Sequence, residues 1–363
     1  MSKKNILIVF GGKSSEHEVS RNSAFSIINN INKEIYNIYT LGITKEGEWI
    51  LFSGDYENIA DGSWQNHPDN KKAFITPDKK VSGLLVITNE GFEILNIDAI
   101  IPVLHGKNGE DGTIQGLFEL SEIPYVGCDV LSSAICMDKA ISNTIFAYNN
   151  IKQAKFVSFY IEDFRKNNDY YLNLIDEKIG TYPVFIKPAN AGSSVGVSKV
   201  KQKSELIDAI NKASLEDRKI LIEEGIDGIE VECAIIGNNN AVASIVGEIT
   251  PSNDFYDYNA KYIDNKSELI IPANISDDIS QKIRETALKA YKAMGCSGLA
   301  RIDFFVEKRT NRVLLNEINT FPGFTSISMY PMLMNKIGIS FESLIDKLID
   351  LAINKKEGKY ETE

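Results

Sequence analysis

The chain has 363 residues, more than one compact core usually carries, so its length predicts two or three domains. Lys and Arg total 39 against 50 Asp and Glu, a net charge of −11, which excludes a chain-wide binder of nucleic acid or acidic membrane because neutralising phosphates takes concentrated basic residues. Hydrophobic residues at 43% and charged residues at 25% exclude long disorder, and no stretch approaches the roughly 20 apolar residues of a membrane span, so the chain reads as soluble and cytoplasmic.

From the amino terminus, Asn5 to Phe10 reads as a buried strand running into Gly11-Gly12, too short for a signal peptide. A helix is expected from Glu18 to Ile31, a second strand from Tyr36 to Ile43, and another from Ile97 to Val103 before a glycine-bearing loop, His105 to Gly112. Thr113 to Leu120 closes this region as a helix. The alternation is that of an open α/β sheet, whose ligands collect beyond the carboxyl ends of its strands, where both glycine loops fall.

A helix from Asp138 to Tyr148 is followed by strands at Lys155 to Tyr160, Pro183 to Lys187, Val195 to Val200 and Lys219 to Glu223. Strands at Ile229 to Gly237 and Ala241 to Gly247 lead into a polar, aromatic stretch from Thr250 to Lys266, a lid or binding loop unless it is disordered. Ser276 to Met294 has the amphipathic pattern of a helix ended by Gly295, and Phe341 to Ile353 is the closing helix. The four cysteines, Cys128, Cys136, Cys233 and Cys296, lack metal or disulfide spacing and read as buried thiols. Of the three histidines, His67 reads as a loop residue, whereas His17 and His105 lie in the glycine loops.

The chemistry concentrates in three places. Gly298 to Phe305 and Val313 to Asn319, joined through a turn at Lys308 to Asn311, form a candidate hairpin. Residues two apart in a strand share a face, so Arg301 joins Asp303 and Glu317 joins Asn319. Hard oxygen ligands of this kind suit Mg²⁺ bridging to nucleotide phosphates; the bland alternative is a surface ion pair, which leaves the adjoining Asn-Thr-Phe-Pro-Gly turn unexplained. The strand Pro183 to Lys187 delivers a lysine at its end, and the Gly192 to Gly196 turn can aim backbone N–H groups at an anion. Leu221 to Glu230 ends an apolar strand in an acidic turn that can serve an adenine edge and ribose hydroxyls. No Ser-His-Asp order supports triad hydrolysis.

Together with Gly11 to Ser20, the His105 loop, Phe255 to Tyr262 and Glu317 to Thr325, these segments resemble, in order and over nearly the whole chain, the D-alanine–D-alanine ligases of the ATP-grasp superfamily. The resemblance implies an α/β fold of three domains: a substrate domain over 1–128, a central ATP-grasp domain over 129–226 and a catalytic domain over 227–363. It implies that Lys139, Lys187 and Lys261 contact ATP, that Glu223 and the Ile226 backbone hold adenine, and that Glu230 holds the ribose. Asp303, Glu317 and Asn319 would hold two Mg²⁺ ions, with Mn²⁺ able to substitute. Arg301 and the Gly323 N–H would face the oxyanion. Glu16 would bind the first D-alanine's ammonium beside Ser193 and Tyr262. His105 would lie near that substrate's carboxylate, and Ser328 with Met329 would receive the second. The resemblance also implies a homodimer and a product used in peptidoglycan. Lys107-Asn108 departs from the residues many relatives carry there, a variation also seen among D-alanine–D-serine ligases; the alternatives are ligation of D-serine or D-lactate by the same fold, or a nucleotide-binding regulator that kept the grasp and lost turnover.

Overall fold

In the computed structural model, which describes residues 2–81, 83–250 and 268–356, three sheets follow one another along the chain. The first contains β1 (Lys4–Gly11), β2 (Tyr36–Ile43), β3 (Trp49–Phe52), β4 (Lys71–Ile75), β5 (Leu84–Thr88), β6 (Gly91–Leu95) and β7 (Ala99–Val103) in the order β6-β5-β4-β3-β2-β1-β7. Only β2, β1 and β7 run parallel. The sheet departs from the expected α/β alternation from β3 onward, where β3 to β6 pair in sequence order as an antiparallel meander. Residues 96–98 join β6 to β7 although these strands end the order. A link that short spans at most about 14 Å, so the sheet curls back on itself.

The second sheet contains β8 (Phe156–Tyr160), β9 (Val184–Pro188), β10 (Ser198–Val200) and β11 (Lys219–Glu224) in the order β10-β9-β11-β8. The third contains β12 (Gly228–Ile236), β13 (Val242–Thr250), β14 (Glu268–Ile270), β15 (Leu299–Glu307) and β16 (Val313–Asn319), in the order β14-β13-β12-β15-β16. Every pairing in these two sheets is antiparallel.

The helix His17–Asn30 buries Val19, Ser23, Ala24, Ile27 and Ile28, a stripe of near-helical period that covers one face of the first sheet. The closing helix Phe341–Lys356 returns to the same core through Leu344, Ile345, Leu348 and Ile349, joined there by Phe321 and Phe324 from the turn after β16. Each such side chain removed from water contributes about 1.5–3 kcal/mol, and this shared core ties the turn to the first sheet. Cys136 and Phe146, from the helices Val130–Met137 and Lys139–Tyr148, pack instead with the third sheet. All four cysteines are buried and free, as expected.

Candidate functional site

A cleft of about 1300 Å³ is lined by residues of the second and third sheets, by the loop and helix that follow β1, by the loop after β7 and by the turn after β16. Its floor is the hairpin of β15 and β16. The register sets Arg301 opposite Asn319 and Asp303 opposite Glu317, so the alternation read from the sequence puts all four on one surface. Arg301 donates to both Asp303 oxygens, from Nε at 2.8 Å and from Nη2 at 2.7 Å, and Asn319 Nδ2 donates to Asp303 Oδ2 at 3.0 Å. Glu232, which faces Asp303 from β12, brings a second carboxylate to within 3.0 Å of Arg301 Nε. Sequence reading missed Glu232, although it lies two residues from Glu230 and thus on the same strand face.

Of the three lysines expected to contact ATP, Lys139 and Lys187 lie among the described residues, and each is near a carboxylate. Lys187, at the end of β9, lies 2.6 Å from Glu223 Oε2 on the neighbouring β11, and Asn143 Nδ2 donates to the other Glu223 oxygen at 2.9 Å. Burial opposes the Lys187 charge, but Glu223, with Glu317 and Glu230 behind it, outweighs that cost and holds the ammonium above its ordinary pKa. Lys139 opens the helix Lys139–Tyr148, whose first amides are capped by Asp138. Its Nζ donates to the Ala191 carbonyl at 2.9 Å and lies 3.4 Å from Glu317 Oε2.

Two residues beyond Ala191, Ser193 Oγ donates to Glu16 Oε1. Ser193 and Ser194 both hold left-handed backbone, at φ 49° and 59°, in the turn before Gly196. That conformation costs about 1–2 kcal/mol in a residue with a Cβ, and here it turns the hydroxyl toward Glu16. Gly106 lies so close that a Cβ on it would overlap Glu16 Oε2, and its φ of +70° is also one that glycine adopts freely. Glu110, missed in the sequence, joins two segments: its oxygens accept the Gly106 N–H at 2.7 Å and the Phe321 N–H at 3.2 Å. Burial, followed by the nearby Glu16 charge, pushes its carboxyl up to about 8 despite those donors.

His105 is buried, with Nδ1 3.0 Å from the Phe321 carbonyl oxygen and Nε2 3.3 Å from Ser23 Oγ. Burial holds its imidazole below the ordinary histidine pKa. Ser328 precedes the helix Met329–Lys336 and accepts the Thr325 N–H at 3.0 Å, bracing the turn that carries Gly323. Ile226, Glu230 and Met329 line the cleft, whereas Lys107 and Asn108 are exposed and do not. Lys261, Tyr262 and the whole 251–267 stretch lie outside the described residues.

Among the described residues no group of three His, Cys, Asp or Glu side chains is arranged around a metal position. The hairpin offers two carboxylates and the Asn319 amide, a donor set of the hard oxygen type that Mg²⁺ takes while keeping several waters.

Two family models match the chain: "D-ala D-ala ligase N-terminus" over residues 5–128 and "D-ala D-ala ligase C-terminus" over residues 145–350. The chain is similar to the D-alanine–D-alanine ligase of Caldicellulosiruptor bescii, at 50% identity over 99% of this chain and 98% of that protein. It is equally similar to that of Acetivibrio thermocellus, at 51% over 97% and 96%. Among solved structures, the VanG D-Ala:D-Ser ligase from Enterococcus faecalis matches with a TM-score of 0.88 and 42% identity, over 97% of this chain and all of that one. The D-alanine–D-alanine ligase from Coxiella burnetii matches with 0.86 and 32%, over 99% and 96%.

Proposed function

The chain belongs to the D-alanine–D-alanine ligase family, and we propose that it uses ATP to join two D-alanines into D-alanyl-D-alanine for peptidoglycan, releasing ADP and phosphate. It has the ATP-grasp fold of its structural neighbours. The observation that carries the reading is the meeting, in one cleft, of the Arg301, Asp303, Glu317 and Asn319 face with Lys139 and Lys187 on one side and the Glu16–Ser193 pair on the other. In this reading 1–128 is the substrate domain, 129–226 the central ATP-grasp domain and 227–363 the catalytic domain.

The first D-alanine binds through its ammonium at Glu16, with Ser193 and Tyr262 beside it. Its carboxylate attacks the γ-phosphorus of ATP to give an acyl phosphate, and the amine of the second D-alanine displaces phosphate. The first step drives anion against anion, so its barrier falls where fixed cations meet the growing charge. Lys139, Lys187 and Arg301 supply them, each resting on Glu317, Glu223 or Asp303 until a phosphate takes the carboxylate's place. Glu223, the Ile226 backbone and Glu230 hold the nucleoside, with Lys261 as a further ATP contact. Asp303, Glu317 and Asn319 would hold two Mg²⁺ ions, or Mn²⁺; bound there, the metal neutralises triphosphate charge. The Gly323 N–H and Arg301 face the oxyanion, and Ser328 with Met329 receives the second carboxylate. His105 walls the first-substrate pocket.

The exposure of Lys107 and Asn108 favours D-alanine as second substrate over the D-serine alternative, because the one departure from the family pattern lies away from the cleft. The use of ATP favours a cytoplasmic location, and the family favours a homodimer, for which sedimentation should read twice the chain mass. The test is product analysis with ATP, Mg²⁺ and D-alanine, alone and against equal D-serine or D-lactate. One ADP per D-alanyl-D-alanine is expected; ADP release indifferent to D-alanine, or a dominant mixed product, would overturn the reading.

A further inference from the structure

Ser23 is fully buried on the inner face of the helix His17–Asn30, and nothing in the reaction described above uses it. Its Oγ lies 3.1 Å from the Phe324 backbone nitrogen and 3.3 Å from His105 Nε2. A backbone amide only donates, so the Ser23 oxygen accepts from Phe324 and keeps its single proton to give. On the other side of the ring, Nδ1 faces the Phe321 carbonyl oxygen, which only accepts, so Nδ1 carries the ring proton. The carbonyl thus assigns the tautomer, and in the neutral ring the bare Nε2 accepts the Ser23 proton.

We propose that Ser23 is a positioning residue of the ligase: its hydroxyl fixes His105 as the Nδ1–H tautomer and, through Phe324 and Phe321, holds the turn that presents the Gly323 N–H. The Ser23 hydroxyl and the His105 ring link the Phe324 N–H to the Phe321 carbonyl, spanning Gly323 on both sides. With both nitrogens engaged by protein, His105 is a strut between the first helix, its own loop and the turn. The charged groups acting on it are Glu16 and Arg301, and the Glu110 carboxyl shares the Phe321 backbone with it. Burial and Arg301 favour the neutral ring that this tautomer requires, against the pull of Glu16 and the Phe321 carbonyl.

The functional arm rests on the ligase reading, so the experiment begins with a measurement that does not. The chain has only three histidines, and ¹⁵N-labelled histidine in the full-length, ligand-free protein gives a readable spectrum, with His105→Gln used to assign His105. The parent should show a protonated Nδ1 and a bare Nε2 at neutral pH. Ser23→Ala should move the Nε2 resonance, and Ser23→Thr, which keeps the hydroxyl, should leave it in place. A protonated Nε2 in the parent, or an unmoved resonance in Ser23→Ala, would overturn the proposal. In turnover, Ser23→Ala should lower kcat/KM for D-alanine about tenfold, the scale of one lost buried hydrogen bond, while the KM for ATP stays within about twofold. An equal loss in both substrates would indicate general unfolding of the cleft and would also overturn it. A parent without D-alanine ligation would instead defeat the ligase reading, and the spectra would still decide the role of Ser23.

Discussion

The two walls of the cleft are built on different electrostatics. On the phosphate side, charge is balanced by charge: Lys187 on Glu223, Lys139 near Glu317, Arg301 on Asp303 and Glu232. On the amino-acid side, polar atoms are balanced mainly by dipoles: Glu110 by two backbone amides, His105 by a carbonyl and a hydroxyl, Glu16 by Ser193. Ion pairs along a cleft can exchange partners when a polyanion enters, because a phosphate oxygen replaces a carboxylate oxygen at little geometric cost. Directional bonds to buried backbone do not exchange, and they keep a small pocket in one shape. The difference fits a wall that admits and releases nucleotide facing one that must recognise a methyl and a carboxylate.

The largest expected effect breaks the charged wall at its floor. Asp303→Ala or Glu317→Ala should cut steady-state turnover by at least about a hundredfold with the thermal melt preserved, since each removes an oxygen proposed to hold the metal and the carboxylate partner of a cation. Lys187→Ala should weaken ATP binding by about tenfold to a hundredfold in calorimetry; unchanged affinity would remove Lys187 from the phosphate site. The dipolar wall is sharpened by Glu110→Gln. Its carboxyl stands at about 8 in the fold, above its ordinary 4.5 when unfolded. The folded state therefore holds the extra proton, and the stability this group contributes is full below about pH 4.5 and is lost as pH rises toward 8. Melts of the parent should fall across that window and those of Glu110→Gln should fall less; identical slopes would refute the assignment. The smallest effect is expected at Lys107→Ala and Asn108→Ala, within about twofold in kcat/KM and in the choice between D-alanine and D-serine, because both side chains face solvent.

The charged floor was legible in the sequence because strand alternation is a local rule: Arg301 with Asp303 and Glu317 with Asn319 needed only a hairpin to meet. The same rule reaches Glu232 from Glu230 once β12 is paired to β15, a pairing no short window reveals. Glu110 and Ser23 were illegible for a different reason. Their partners, Phe321 and Phe324, lie some two hundred or more residues along the chain, and the contacts exist only because the turn after β16 buries its phenylalanines in the first sheet's core. The meander from β3 to β6 was missed because its strands are only four or five residues long, so the parallel pattern of β1, β2 and β7 dominated the reading. The readings at Lys261 and Tyr262 lie outside the described residues.

The central claim is that the cleft carries an amino-acid carboxylate onto the γ-phosphate of ATP. It is tested most directly by supplying D-alanine labelled with ¹⁸O in both carboxylate oxygens and measuring the label in the phosphate released with ADP. Transfer of one ¹⁸O to phosphate for each dipeptide formed is the predicted result. Unlabelled phosphate accompanying dipeptide synthesis would contradict the acyl-phosphate route and the roles given to Lys139, Lys187 and Arg301.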